Sequence, residues 1–560
     1  METPLGWAWA KIGDMISRDG VFCDGDWVES QDQDPDGDVR LIQLADIGDG
    51  VYNDRSSRFL TRSRAEELKC TFLKKGDLLI SRMPDPLGRS CVFPGDRKPA
   101  VTVVDACIVR TASDVSHGWL MHAVNSPQSR QKIAALQTGS TRKRISRKNL
   151  ATIEYPVPPV VEQRAIVAKI EQLFSELEKG VEQLQTVKQQ LKQYRQAVLK
   201  AAFEGKLTAE WRAEQQAAGD LPGADELLEQ IEKEREKRYQ QQLQEWKREV
   251  AHWEAVEGSN SALKRPKKPA SKGQCIPLSA EETASLPGLP RGWTWLRLGQ
   301  IIASGIQNGL YKPQSAYGAG IPIVRINDFQ NGWIRPVGEL LQVRVSEEEH
   351  SLYSLHRGDV LINRVNSITH LGKCMLVPQS YESTIFESNI MRFSLLESAH
   401  AEFLCYYLQS RRGRDRLISN AKWAVNQASI NQSDVASTPV PFPSLDEQRL
   451  VINEIQRRFS ILDELERAVD HGLQHAEGLR QSILKKAFEG RLLSDAELAA
   501  VRNDPEYEPA DKLLERIRAE KEKDKQSLRS SRAGSMRRET RRGSLRRPQE
   551  ETNETASEAR

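Results

Sequence analysis

Long apolar runs are missing from this 560-residue chain. None approaches the roughly 20 residues that span a bilayer, and the opening METPLGWAWAKIGD lacks the basic start and apolar core of a signal peptide, so a soluble cytoplasmic protein with no membrane contact is expected. Paired cysteines are missing too. The seven present (Cys23, Cys70, Cys91, Cys107, Cys275, Cys374, Cys405) are scattered, odd in number and never in a C-x-x-C pair, which argues against both a zinc site and a disulfide framework and leaves most of them as small core residues. No charge sign dominates: 81 Lys and Arg against 78 Asp and Glu leave +3, so bulk charge selects no partner. Catalytic strings are absent as well, with no Asn/Asp-Pro-Pro-aromatic run, no glycine-rich nucleotide fingerprint, no G-x-x-x-x-G-K-[ST] and no H-E-x-x-H. The PDPLGR string at Pro84 has the look of a nuclease acid pair, but no lysine-bearing partner strand follows it. Neither a catalytic site nor a bound metal or cofactor is expected in this chain.

What the chain has in abundance is repetition. GWAWAKIGDMI at Gly6 answers to GWTWLRLGQII at Gly292, so Trp7 and Trp9 match Trp293 and Trp295. LKKGDLLISRM at Leu73 answers to LHRGDVLINRV at Leu355, EQRAIVAKIEQLF at Glu162 to EQRLVINEIQRRF at Glu447, and AVLKAAFEGKL at Ala197 to SILKKAFEGRL at Ser482. The offset stays between 282 and 286 residues throughout, and even the flanks echo, ADELLEQI at Ala224 against ADKLLERI at Ala510. The chain is a tandem duplication. At 560 residues it exceeds one hydrophobic core in any case.

Each copy holds two kinds of segment. Short apolar runs such as RLIQLADI, DLLISRM and AVTVVDACIV, broken by Gly, Asp and Pro, predict a mainly β domain over 1–155, with a counterpart over 286–440. Heptad-like spacing follows. Ile166, Ile170, Leu173, Leu177, Val181, Leu184, Val187, Leu191, Tyr194 and Val198 form one apolar seam in a helix over 156–207, a rod of roughly 60 Å. A second helix over 441–492 carries Val451, Ile455, Leu462, Leu465, Val469, Leu473, Leu479 and Ile483, with Gly472 and Ala476 weakening its seam. Such a seam is ordinarily structural core and by itself would suit a homodimer; since the chain carries its own partner helix, an intramolecular antiparallel coiled coil acting as a spacer is expected. The fold class is therefore α+β, with each β-rich domain followed by a long helix. Between and beyond lie a charged helical insertion with a basic linker (208–285) and a charged helix with a basic, disordered tail (493–560).

The helix starts have a local explanation. Ser444 and Glu447 stand in the S-x-x-E spacing of a capping box, and Glu162 suits the positive end of its helix behind Pro158 and Pro159. Capping explains the acid but not the recurrence of Gln163 with Arg164 as Gln448 with Arg449.

The order of these parts resembles the DNA specificity subunits of type I restriction-modification enzymes: a domain, a P-x-P…EQR helix start, a helix closing in KAAFEGKL or KKAFEGRL, all twice over. The resemblance covers Gly6 to Leu207 and Gly292 to Leu492. It implies that each globular unit is a target recognition domain reading one half of a bipartite double-stranded DNA site. It further implies that the helices seat two methyltransferase subunits, which carry S-adenosylmethionine and adenine-N6 chemistry, and that restriction and motor subunits supply ATP- and Mg-dependent cleavage. A bacterial or archaeal, nucleoid-associated location goes with it. Gln163, Arg164, Gln448 and Arg449 then become candidates for docking those partners, presented twice in pseudo-twofold fashion.

Candidate DNA contacts follow. TGSTRKRISRKNL packs Arg142, Lys143, Arg144, Arg147 and Lys148 beside Ser140 and Thr141 with no acid, a composition that can neutralise several phosphates; a solvated basic turn is the plainer alternative, and the family's similar loop favours DNA. The second copy departs from it: NAKWAVNQASINQSDV offers Lys422, Trp423, Asn426, Gln427, Asn431 and Gln432, and amides suit adenine where arginine suits guanine, so the halves are expected to read different sequences. Arg82, Arg364 with Asn366, Arg40 with Gln43, and Arg325 with Asn327 occupy matching positions as either groove contacts or packing residues. Two other classes stay open: a stand-alone DNA-bridging protein, and an enzyme with its own turnover, which the missing motifs oppose.

Overall fold

The computed structural model describes residues 4–83, 86–139, 141–256, 265–269, 276–330, 332–424 and 427–523. They divide into two units, Met1–Leu184 with His471–Arg560, and Gln185–Asp470, so that both long helices run through both units.

In the first unit a four-stranded antiparallel sheet has the order Val21–Asp24, Ala106–Arg110, Leu78–Ser81, Ser90–Val92. Leu78–Ser81 is buried along its whole length, which is why DLLIS reads as a continuous apolar run rather than an alternation. Gly76, at φ +94°, makes the turn that feeds it. Asp77 then accepts the Lys74 N–H at 2.8 Å and grips Arg110 with both carboxylate oxygens, at 2.7 and 2.6 Å. A second sheet orders Phe59–Leu60, Val39–Ile42 and Ala100–Thr102, and Ala8–Lys11 pairs with Glu154–Val157 to close the domain.

The second unit repeats this plan. Its sheets order Gln307–Asn308, Ile390–Phe393, Val360–Asn363, Cys374–Leu376, and Gln342–Val343, Tyr317–Val324, Ile385–Phe386. Thr294–Arg297 pairs with Pro439–Phe442 in the register of the first copy, Trp295 opposite Pro441 as Trp9 is opposite Pro156. Asp359 again caps its Gly-Asp turn through the His356 N–H, but its arginine, Arg392, stands off at 3.7 Å.

The two long helices are Val160–Phe203 and Leu445–Phe488, 44 residues each, and they pack together antiparallel. Arg480 pairs with Glu178 in the first unit; Lys188 with Asp470, and Arg195 with Asp463 and Glu466, in the second. Gly472 has a packing role, since a Cβ there would meet Leu184 Cδ1 at 3.1 Å. The expected seam holds at Ile166, Ile170, Leu191, Val198, Val451, Ile455, Leu462 and Val469, all buried. It fails at Val187, Tyr194, Leu465 and Leu479, which are exposed. The helix ends are instead absorbed by the globular cores: Ile166, Ile170 and Phe174 join Trp119 and Leu120, while Val198, Leu199, Val451 and Ile455 join Trp293 and Phe403.

The segments beyond the helices also pack down. Ile231 of the helix Ala224–Val256 enters the second unit's core, and Glu234 accepts the N–H groups of Glu397 and Ser398. In the first unit 510–523 is helical, with Leu513, Leu514 and Ile517 buried and the Ala510 N–H on the Gly6 carbonyl at 2.9 Å. The echo of ADELLEQI in ADKLLERI is thus an echo of core contacts. Cys275, the PD of PDPLGR and the tail from 524 onward lie outside the described residues. The described cysteines are all unpaired, and all but Cys23 are buried.

Candidate nucleic-acid interface

The basic loop of the first unit is held at both ends and bare in the middle. Thr138 and Arg144 exchange both backbone hydrogen bonds at 2.9 Å, and Gly139 turns with φ +92°, where a Cβ would strike the Arg142 carbonyl. Ile145, fully buried, plugs the loop into the core and donates its N–H to the Arg82 carbonyl at 3.1 Å. Ser146 then caps the helix Arg147–Leu150. Between these anchors Thr141, Arg142, Lys143 and Arg144 are exposed, and none of the three cations has an ion pair among the described residues. Ser140 lies outside the described residues.

Two further arginines converge on the loop but are already neutralised. Arg82 donates to Asp24 Oδ1 at 2.6 Å and lies 3.7 Å from Asp105; Arg147 reaches Asp24 Oδ2 at 3.3 Å and the Phe22 carbonyl at 3.2 Å. With both held by Asp24, they shape the loop's base, and Arg82 is only 14% exposed. Burial and the Asp24 charge push the neighbouring Cys107 thiol up, which leaves it protonated and inert.

The second unit builds the corresponding place differently. Lys422–Ala424 and Gln427–Ser429 form an antiparallel ribbon, and Gln427–Ser429 also pairs with Val365–Asn366. Ile430, buried, donates to the Arg364 carbonyl at 3.0 Å, the same tether as Ile145 to Arg82, and Asn431 caps the next helix as Ser146 does. Lys422, Trp423 and Gln427 are exposed; Asn426 lies outside the described residues. Arg364 is half-buried, its guanidinium on the Ser388 carbonyl at 3.0 Å, and Asn366 accepts the Ser367 N–H.

The remaining candidates do not gather here. Arg40 is clamped by Asp96, Asp54 and the Ser56 carbonyl and is 14% exposed, so its charge is spent inside the fold. Burial disfavours the Asp96 charge, but Arg40 and two backbone N–H groups overcome it and hold that carboxyl below the usual range. Gln43 gives its N–H to the buried Asp46. Arg325 faces Asp328 at 3.6 Å, while Asn327 is exposed on the adjoining turn.

The expected docking pairs need correction. Gln163 and Gln448 are fully buried and cannot meet a partner. Gln163 Oε1 accepts the Ser116 N–H at 2.9 Å and its amide donates to the Pro158 carbonyl; Gln448 Oε1 accepts the His400 N–H at 2.8 Å and its amide donates to Pro443 and Ser398. Ser116 and His400 begin equivalent helices, so the repeated glutamine latches each long helix to its own domain. Its spacing from Ile166 and Ile170, and from Val451 and Ile455, already put it on the apolar stripe. Arg164 and Arg449 do stay on the surface, paired with Glu506 and Asp446.

The capping box is also only half made. The Glu447 N–H reaches Ser444 Oγ at 3.4 Å, but the Glu447 carboxylate takes Thr208 Oγ1 at 2.7 Å and Arg212 at 2.8 and 3.0 Å instead. Glu162 accepts the Trp7 indole N–H at 2.9 Å, and burial raises its carboxyl above the usual range against that bond. Among the described residues no group of three His, Cys, Asp or Glu is placed to hold a metal ion, and no helix is long and apolar enough to cross a membrane.

A family model described as the type I restriction modification DNA specificity domain matches residues 6–189 and again 290–474. The chain is 24% identical over 421 residues to the specificity subunit of the type I restriction enzyme EcoKI of Escherichia coli (strain K12), covering 74% of each chain. It is 25% identical over 420 residues to the StySPI specificity subunit of Salmonella potsdam, covering 74% of this chain and 73% of that one. A solved chain from work on complex assembly and conformational transition of the type I R-M system superposes with a TM-score of 0.57 at 18% identity, over 88% of this chain and 100% of that one; this likeness bears on the fold.

Proposed function

The chain belongs to the family of type I restriction-modification DNA specificity proteins, and on that premise we propose that it selects the DNA site for such a complex, each domain reading one half of a bipartite duplex sequence. Like its family it is noncatalytic by itself. Two methyltransferase subunits dock on it and bring S-adenosylmethionine to a target adenine; restriction and motor subunits bring ATP and Mg²⁺; and the complex works in the cytoplasm on nucleoid and invading DNA.

One observation carries this reading. Both units hang an exposed segment from the same buried isoleucine and the same carbonyl tether, Ile145 to Arg82 and Ile430 to Arg364, yet fill it with different chemistry. A shared scaffold with divergent tips is what two readers of different words require. The test is a genome-wide map of methylated adenines with and without this gene, followed by exchange of residues 1–155 for those of a relative. One half of the methylated motif should change and the other stay; a motif that shifts in both halves, or in neither, overturns the assignment.

A further inference from the structure

The second domain has few cations with which to hold DNA at its ribbon, and Lys422 is the one in Lys422–Ser429. Its largest exposed group is Trp423, 71% accessible, on the strand Lys422–Ala424. Trp27, also largely exposed, ties its indole N–H to Glu29, and Trp295 is covered by Arg416 at 4.6 Å and donates to the Pro287 carbonyl. Trp423 has no hydrogen bond, ring contact or cation over it among the described residues. It stands 285 residues after Thr138, at the foot of the basic loop in the first domain. Trp423, Ala428 and Asn366 form one cross-strand row; Ala428 is buried in the second unit's core, while Trp423, on the edge strand, stands clear of that core.

Lys422–Ala424 and Gln427–Ser429 are adjacent strands of a three-stranded sheet, with Lys422–Ala424 at its edge. The major groove admits a β-ribbon, and the thymine C5-methyl is the one apolar group that base pairs present there. We propose that Trp423 is a specificity-determining residue that packs its indole against a thymine methyl in the half-site read by the second domain. The inference rests on the chain being a DNA specificity subunit. It makes the two half-sites unlike in kind, one gripped by salt-sensitive phosphate contacts and the other by an apolar contact that salt does not screen.

The experiment uses the full-length chain and a duplex carrying its mapped site, with each thymine of the second half replaced in turn by deoxyuridine, which removes only the methyl. One replacement should weaken wild-type binding about fourfold, the worth of one buried methyl-sized group. The same replacement should leave W423A unchanged, while W423A itself binds about tenfold more weakly with an unaltered salt slope. W423F, which keeps an apolar face, should retain part of the sensitivity, and circular dichroism melts should match wild type because the residue is exposed. A second half-site without an A·T pair, or uracil effects equal in wild type and W423A, overturns the proposal. Alanine at Arg142, Lys143 and Arg144 separates the two claims: a reduced salt slope alongside a silent W423A removes the tryptophan contact and keeps DNA recognition, and silence in both removes both.

Discussion

The two units place equivalent residues in equivalent contacts and then differ at single positions, and those differences divide stability from recognition. Phe174 and Phe459 are one such pair, each with an arginine over its ring: Arg480 at 4.2 Å and Arg195 at 5.0 Å. Against the same ring the first unit packs His122 edge-on and the second packs Tyr406 edge-on. The helix starts differ in the same manner, since Glu162 meets a tryptophan N–H where Glu447 meets a guanidinium. Inside, a substitution changes how a contact is made. At the exposed segment it changes which side chains face solvent, three cations in the first unit against Lys422, Trp423 and Gln427 in the second.

The largest expected effect comes from the buried lock. Glu447→Ala leaves Arg212 charged and about nine-tenths covered, so the second unit should lose roughly 3–5 kcal/mol in chemical denaturation. Glu162→Ala in the first unit, which breaks one hydrogen bond to a neutral donor, should cost about 1–3 kcal/mol. Equal losses would erase the distinction.

Acid should separate the units next. Burial, with Arg480 adding to it, lowers the His122 pKa to about 4, while in the unfolded chain it is about 6.5. Between those values the unfolded state binds the extra proton, so stability is complete above about pH 6.5 and is lost as pH falls towards 4, by about 3 kcal/mol. Burial also lowers the pKa of His117 in the first unit and of His400 in the second, so hydrogen exchange resolved along the chain should show the larger loss in the first unit, and His122→Tyr, which copies the second unit, should remove most of that excess.

Recognition is sharpened by the loop. Alanine at Arg142, Lys143 and Arg144 should lower the slope of log affinity against log salt by about one unit per lost phosphate contact. An unchanged slope would mean that the loop faces away from DNA. Gln163→Ala and Gln448→Ala should each cost about 1–3 kcal/mol by stranding buried partners, measured by thermal melts. Arg164→Ala and Arg449→Ala should cost under about 1 kcal/mol, being exposed pairs. Should the arginine variants lower partner association in sedimentation while the melts hold, docking belongs to the arginines alone.

Much of the plan was legible along the chain because repetition and periodicity are local signals. The duplication, the presence of both long helices, the Gly-Asp turns and the basic loop could be read without coordinates, although the helices run Val160–Phe203 and Leu445–Phe488 rather than 156–207 and 441–492. The fate of individual charges could not. Arg82 finds Asp24 across 58 residues and Arg40 finds Asp96 across 56, and no spacing rule announces either pair. Gln163 differs from its expected surface position for another reason: its polarity suggests surface, while its spacing from Ile166 and Ile170 places it on the buried stripe, and burial follows the spacing.

The sequence by itself determined the parts, their order and their twofold repetition, since these follow from apolar periods and turn residues acting over a few positions. Only the tertiary structure decided which of the candidate cations stay exposed without an ion pair and which are neutralised by distant carboxylates. Burial and long-range pairing set the electrostatics of each side chain, and both exist only once strands remote in sequence lie side by side.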